Sequence, residues 1–138
     1  MQVVLDTNVL LSAMISPHGY PNLIYCAWCA DRFDLVTSKT QLHELRRASR
    51  YPKFKNVLQP YEVGTLLNNL QHAVLLEKLN SDIEADDPND SFLLAMALTG
   101  HTDYLVTGDH RAGLLQMKNI GRTRMVNPTV FCLEALKY

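Results

Sequence analysis

The sequence predicts an α/β sandwich around a mostly parallel sheet, and three observations carry that prediction. Short unbroken apolar runs, Val3-Val4-Leu5 at the start and Tyr104-Leu105-Val106 further on, have the pattern of strands buried on both faces. Stretches of helical length alternate with such runs along the chain. No internal repeat, low-complexity tract or linker interrupts the alternation, so residues 1–138 are expected to form one domain. A chain of this size buries about two-thirds of the surface it exposes when unfolded.

Taken in order, Val3 to Leu5 is the first strand, and Asp6 stands at its carboxyl end. Val9 to Met14 follows as a helix, with Asp6 or Thr7 as its N-cap. Ser16 to Pro21 is a loop by its Pro and Gly content, and Pro21 to Ala30 is a helix with proline in its first turn. Phe33 to Thr37 is a short strand; Ser38 caps the helix Lys39 to Ser49, which turns Leu42 and Leu45 inward. Tyr51-Pro52 ends that helix, because a residue before proline avoids helical backbone. Pro60 to Gln71 is amphipathic, with Val63, Leu66, Leu67 and Leu70 on one side, and Ala73 to Leu76 is extended. Ser81 to Asn89 is an acidic loop, and Asp90 opens an apolar helix that stops at Gly100. Tyr104 to Thr107 is a strand running into Gly108-Asp109; Met125-Val126 is the last strand, before a helix that Pro128 initiates and that runs to Leu136.

Composition narrows the class. No apolar run approaches the roughly 20 residues a membrane helix needs, and Asp6 and Asn8 interrupt the N-terminal apolar run where a signal peptide would need continuity. A cytoplasmic protein is therefore expected. The net charge is −1, but its distribution is uneven: Arg46, Arg47, Arg50, Lys53 and Lys55 form one basic cluster, and Arg111, Lys118, Arg122 and Arg124 a second. Acids gather at Asp82, Glu84, Asp86, Asp87 and Asp90. Local patches, more than net charge, decide where a polyanion lands. Cys26 and Cys29 have CxxC spacing, but they fall in an apolar helix without a second pair, and Cys132 stands alone, which argues against zinc or redox chemistry. The five histidines show no telling spacing to a carboxylate and a nucleophile.

The acids at the ends of elements carry the chemistry. Asp6 ends the first strand, Glu44 lies early in the helix after the second, Asp90 starts the helix before the fourth, and Asp109 follows that strand. In a parallel sheet, strand ends and the following helix starts share one edge, so Asp6, Glu44 and Asp109 can converge. Asp90 joins them if its helix starts at the same edge. Converging carboxylates repel and raise one another's pKa unless a cation compensates. Oxygen-only donors suit a hard divalent ion such as magnesium or manganese, and such sites serve phosphate chemistry. Asn8, Thr7, Ser91 and Thr107 are placed to orient ligands or water. As a bland alternative, Asp6 is a helix cap and nothing more.

Four motifs in order resemble one family. Val3-Val4-Leu5-Asp6-Thr7-Asn8-Val9-Leu10 resembles the opening of the PIN domain, and Leu42-His43-Glu44-Leu45 with Arg50-Tyr51-Pro52-Lys53-Phe54 is similar to its second acidic motif. Asp87-Pro88-Asn89-Asp90-Ser91-Phe92-Leu93 and Asp103-Tyr104-Leu105-Val106-Thr107-Gly108-Asp109 look like the third and fourth. Each motif alone is weak; four in order, over nearly the whole chain, are specific. The likeness is strongest to the branch of toxins from bacterial and archaeal toxin–antitoxin pairs, VapC-like in general character.

The resemblance implies a three-layer α/β/α sandwich and a magnesium- or manganese-dependent endoribonuclease. It makes Asp6, Glu44, Asp90 and Asp109 the catalytic, metal-binding acids, with Asp87 a rival for Asp90, and it gives Asn8 and Thr107 supporting roles. It implies an RNA substrate, a homodimer and an antitoxin partner, with no membrane involvement. Arg50 and Lys53 are candidates to hold RNA phosphates; Tyr51 and Phe54 either stack on a base or pack at the helix end. Two rivals are weighed. A phosphatase of the haloacid-dehalogenase type wants a second carboxylate two residues after the first, where this chain has Asn8. A non-catalytic PIN-fold module that binds RNA or protein is the other, and the full set of acids argues against it.

Overall fold

A computed structural model describes residues 1–79, 88–108 and 113–138. Six strands form one sheet: β1 (Gln2–Leu5), β2 (Asp34–Ser38), β3 (Val74–Leu76), β4 (Tyr104–Val106), β5 (Asn119–Ile120) and β6 (Thr123–Val126). Their order is β3-β2-β1-β4-β6-β5, and every neighbouring pair is parallel except β5 with β6. The helices are α1 (Thr7–Ile15), α2 (Tyr20–Cys29), α3 (Lys39–Ala48), α4 (Pro52–Lys55), α5 (Pro60–Asn69), α6 (Pro88–Thr99), α7 (Leu114–Met117) and α8 (Pro128–Phe131). A 3₁₀ turn, Leu70–His72, extends α5, and a π turn, Cys132–Leu136, extends α8.

Both faces of the sheet are covered, which explains the unbroken apolar runs. Val3 and Leu5 pack into one core with Leu35, Val106, Val126 and the buried faces of α1, α2 and α3. Val4, between them, points the other way and packs with Val36, Leu105, Met125 and the α6 residues Leu93, Leu94, Met96 and Ala97. Successive strand residues alternate faces, so a strand covered on both sides needs apolar residues at every position.

Most elements lie where the sequence places them, and the differences have local causes. Pro52 does end α3, but it also serves as the first helical residue of α4. Three elements have no counterpart in the sequence prediction: α4, α7, and β5, which pairs antiparallel with β6 through a turn that uses Gly121 at φ +56. A two-residue strand carries no periodicity to detect. On α2, Ile24, Tyr25, Ala27 and Trp28 are buried, whereas Cys26 and Cys29 are exposed and free. The CxxC spacing therefore marks the outer face of α2 and not a buried stripe. Residues 81–87 of the acidic loop lie outside the described residues; its Pro88 and Asn89 belong to α6. Among the described residues no helix is long and apolar enough to cross a membrane.

The amino edge is tied by Asp103. Its Oδ2 accepts from the Gln2 backbone N–H at 2.9 Å, and its Oδ1 from Arg122 at 2.6 Å. The Gln2 amide first, and then Arg122, hold this carboxyl below the usual aspartate range. A carboxyl lowered on folding adds stability that is present above its unfolded pKa of about 3.9 and is lost as pH falls through the folded value. Asp103→Asn should therefore lower Tm at pH 7, by an amount that shrinks as the pH is taken down through the acid range, as a series of thermal melts will show.

Candidate active site

The carboxyl edge of the sheet is assembled by backbone pairing that runs past the strands. The Asp6 N–H donates to the Val106 carbonyl at 2.9 Å, and the Thr107 N–H to the Val126 carbonyl at 2.9 Å. The β1–β4 register, Leu5 opposite Val106, is thus carried on to set Asp6 beside Thr107. The Thr107 hydroxyl donates to Asp6 Oδ2 at 2.7 Å, and the Asn8 backbone N–H to Oδ1 at 3.2 Å. Asp6 is the N-cap of α1, as the bland alternative requires. It is also buried, 6% exposed, with a hydroxyl fixing its second oxygen. A cap needs only one side-chain oxygen, so capping alone does not account for this arrangement.

Asp90 reaches the same edge by topology. Strands β3 and β4 run parallel, so the helix between them travels from the carboxyl edge back to the amino edge. The first turn of α6 contains Asp90, which is 7% exposed. The helix packs across β1, β2 and β4 before the chain re-enters the sheet at Tyr104. Two buried carboxylates are thereby carried to one edge of the sheet.

Glu44 stands differently. It is half-buried in α3, one turn beyond Gln41, and its carboxylate accepts from Arg47 in an i,i+3 pair. That pair raises the Arg47 guanidinium above its ordinary pKa, through the hydrogen bond it donates to Glu44 first and the Glu44 charge second. Among the described residues no group of three or more His, Cys, Asp or Glu side chains lies close enough to hold a metal ion. Asp109, and the rival Asp87, fall outside the described residues.

A depression of about 550 Å³ opens at this edge, lined by Asn8, Ser12, Lys53, Gly108 and Pro128. Asn8, Gly108 and Pro128 each follow a strand end directly or closely. Lys53 enters from α4 and brings a cation into the depression. Arg50 does not share it; it lines a separate depression on the far side of α4. Of the two aromatic residues in this segment, Tyr51 is 43% exposed, but Phe54 is 2% exposed and packs in the core. Of the two readings of Phe54, packing holds and stacking does not: the turn at Pro52 points that ring inward, with Lys53 Nζ 5.2 Å from its centroid.

Gln41 is the residue the motifs do not reveal. Fully buried in the first turn of α3, it donates from Nε2 to the Leu5 carbonyl at 2.6 Å. Its Oε1 accepts from the Thr37 hydroxyl at 2.7 Å. It clamps the end of β1, the residue before Asp6, to β2 and α3. A signal was present: Gln41, Leu45 and Ala48 follow the i, i+4, i+7 spacing of one helix face, and a polar side chain on an apolar stripe needs a buried partner.

The oxygen donors at this edge fit a hard divalent cation in type. Beside Asp6, the Thr7 hydroxyl is buried without a hydrogen-bond partner among the described residues, a polar atom that a cation's water shell would satisfy. Thr107→Val keeps the shape but removes the donor that orients Asp6 Oδ2. A cation held by Asp6 should then bind about 10–100-fold more weakly, with a change in metal-free Tm of a few degrees at most, measured by Mg²⁺ or Mn²⁺ titration and by thermal melt.

Residues 2–111 match the family model of the PIN domain, and the chain belongs to that family. A solved structure with the same fold is that of VapBC2 from Rickettsia felis, bound to a DNA fragment from their promoter. The match has a TM-score of 0.58 at 17% identity and covers 92% of this chain and 98% of that one. No curated protein sequence matches.

Proposed function

We propose that this chain is a magnesium- or manganese-dependent endoribonuclease and the toxin of a toxin–antitoxin pair. One observation carries the nuclease: in a PIN-family chain, buried Asp6 is oriented by Thr107 and the Asn8 amide, on the sheet edge where α6 delivers buried Asp90. Asp6 and Asp90 would hold the cation, with Glu44 and Asp109 completing the set. Once bound, the cation supplies water activation and neutralises charge on the phosphate and the leaving oxygen.

The chain's own groups do the rest. Thr107 fixes the direction of the Asp6 carboxylate, and the α1 N-terminus holds the other oxygen. Glu44 is available, because a solvent-exposed pair such as the one with Arg47 is a weak tether. Lys53 holds a substrate phosphate in the depression, and Arg50 holds another beyond α4. The toxin assignment leans on the Rickettsia felis neighbour, whose structure is that of a VapBC2 complex. An antitoxin partner is in line with that VapBC2 complex; a homodimer and a cytoplasmic location are part of the proposal on the motif resemblance alone.

The test is incubation of the purified protein with mixed cellular RNA, in Mg²⁺ or Mn²⁺ and in EDTA. Cleavage is expected only with the metal. RNA binding without cleavage in any metal would favour a non-catalytic module.

A further inference from the structure

Helix α4 stands between two depressions, and its cations point to both. Lys53 lines the one at the strand ends. Behind α4 lies a second, of about 710 Å³, rimmed by Arg46, Arg50 and Lys55 and floored by Leu58, Val63 and Leu67. Between Glu44 and Glu62 the sequence has five cations and no acid, in a chain of net charge −1. Arg47 is taken up by Glu44, whereas Arg46, Arg50, Lys53 and Lys55 make no ion pair among the described residues. Such a run of unneutralised cations is held where a polyanion can meet it.

Two exposed aromatic residues adjoin lining residues in the sequence. Tyr51, next to Arg50, is 43% exposed, and Tyr61, next to Pro60 at the start of α5, is 72% exposed. Cations over an apolar floor, with exposed rings one residue away along the chain, suit single-stranded nucleic acid: phosphates on the cations, bases on the rings and the floor. A duplex would present only its backbone and leave the rings unused. The floor is also open: a Cβ at Gly64 would meet no heavy atom within 4 Å.

We infer that the depression behind α4 holds the single-stranded RNA flanking the cleaved bond, and that the strand crosses α4 to Lys53 and the carboxyl edge. The inference rests on the nuclease reading for the position of the cleaved bond; the groove's grip on RNA stands without it. Arg46, Arg50 and Lys55 hold phosphates, and Tyr61 and Tyr51 hold bases.

The experiment is fluorescence anisotropy of a labelled 12-nucleotide single-stranded RNA of mixed sequence, titrated with the full chain in EDTA at several salt concentrations. In EDTA, binding is read apart from cleavage. The triple variant Arg46→Gln/Arg50→Gln/Lys55→Gln should weaken binding at least tenfold and lower the slope of log K against log salt by roughly 2. Tyr61→Ala should weaken it by about fivefold or more. Gly64→Phe, which fills the floor at a position where glycine is a poor helix former, should weaken binding while its thermal melt stays native.

Unchanged affinity and slope in the triple variant and in Gly64→Phe, or no binding by the native chain, would overturn the inference. So would loss of an acidic amphipathic helical peptide of Glu and Leu by those variants while RNA binding persists, since the groove would then dock protein. Groove-dependent binding with no cleavage in any metal would sink the nuclease and leave the groove standing. Cleavage by the native chain with groove variants that bind RNA normally would do the reverse.

Discussion

Asp6→Asn should abolish metal-dependent RNA cleavage, by more than about 100-fold, and leave the fold intact. The magnitude follows from place: removing a group that merely supports a ligand costs 10–100-fold, and Asp6 is proposed as a ligand itself. The fold should survive because the amide replaces what the carboxylate does locally. Its oxygen can still accept from the Asn8 N–H and cap α1, and the Thr107 hydroxyl can turn to accept from the new amide nitrogen. Without metal, native and variant should melt within a few degrees of each other. With Mg²⁺ at 100 times its Kd, the native protein should gain about 2.7 kcal/mol from binding to the folded state only, and the variant should gain little. Equal cleavage by both proteins would remove Asp6 from the site. Loss of cleavage accompanied by a large fall in the metal-free Tm would reduce Asp6 to a structural cap.

The parts of this molecule legible in the sequence are those where one local pattern has one physical solution. Val3-Val4-Leu5 had to be a strand covered on both faces, and Ser38 had to cap a helix; its hydroxyl accepts from the Gln41 N–H at 3.1 Å. Asp6, at the strand end, was legible for the same reason. Asp90 was legible as a helix-start acid, but its arrival at the shared edge depends on β3 and β4 being parallel in one sheet, a long-range fact. Phe54 shows the limit from the other side: next to Lys53 in a basic run it fits a stacking residue as well as a packing one, and only the turn of α4 decides that it is core. The separation of Arg50 and Lys53 into two depressions is likewise set by that turn. Gln41 gave a weak signal because its partners, Thr37 and Leu5, lie four and 36 residues away.

Gln41→Leu tests the clamp, and it should cost about 2–4 kcal/mol and on the order of 10 °C in Tm. Leucine has a similar volume and suits the helix, so neither a cavity nor lost propensity explains the loss. The cost comes from what remains: the Leu5 carbonyl and the fully buried Thr37 hydroxyl each lose their partner in the core. Gln41→Glu separates this cause from packing. A glutamate carboxylate still accepts from Thr37 but sets a second acceptor against the Leu5 carbonyl, whereas the protonated acid donates to it as glutamine does. The folded state therefore raises that carboxyl's pKa above its unfolded value of about 4.3. A group raised in this way contributes stability at low pH that is lost as pH rises through the folded pKa. The Tm of Gln41→Glu should thus fall further below native at pH 7 than at pH 4, while the deficit of Gln41→Leu stays nearly flat between them. If both variants show the same flat deficit, the side chain is held by packing, and the end of β1 beneath Asp6 owes its position to the sheet alone.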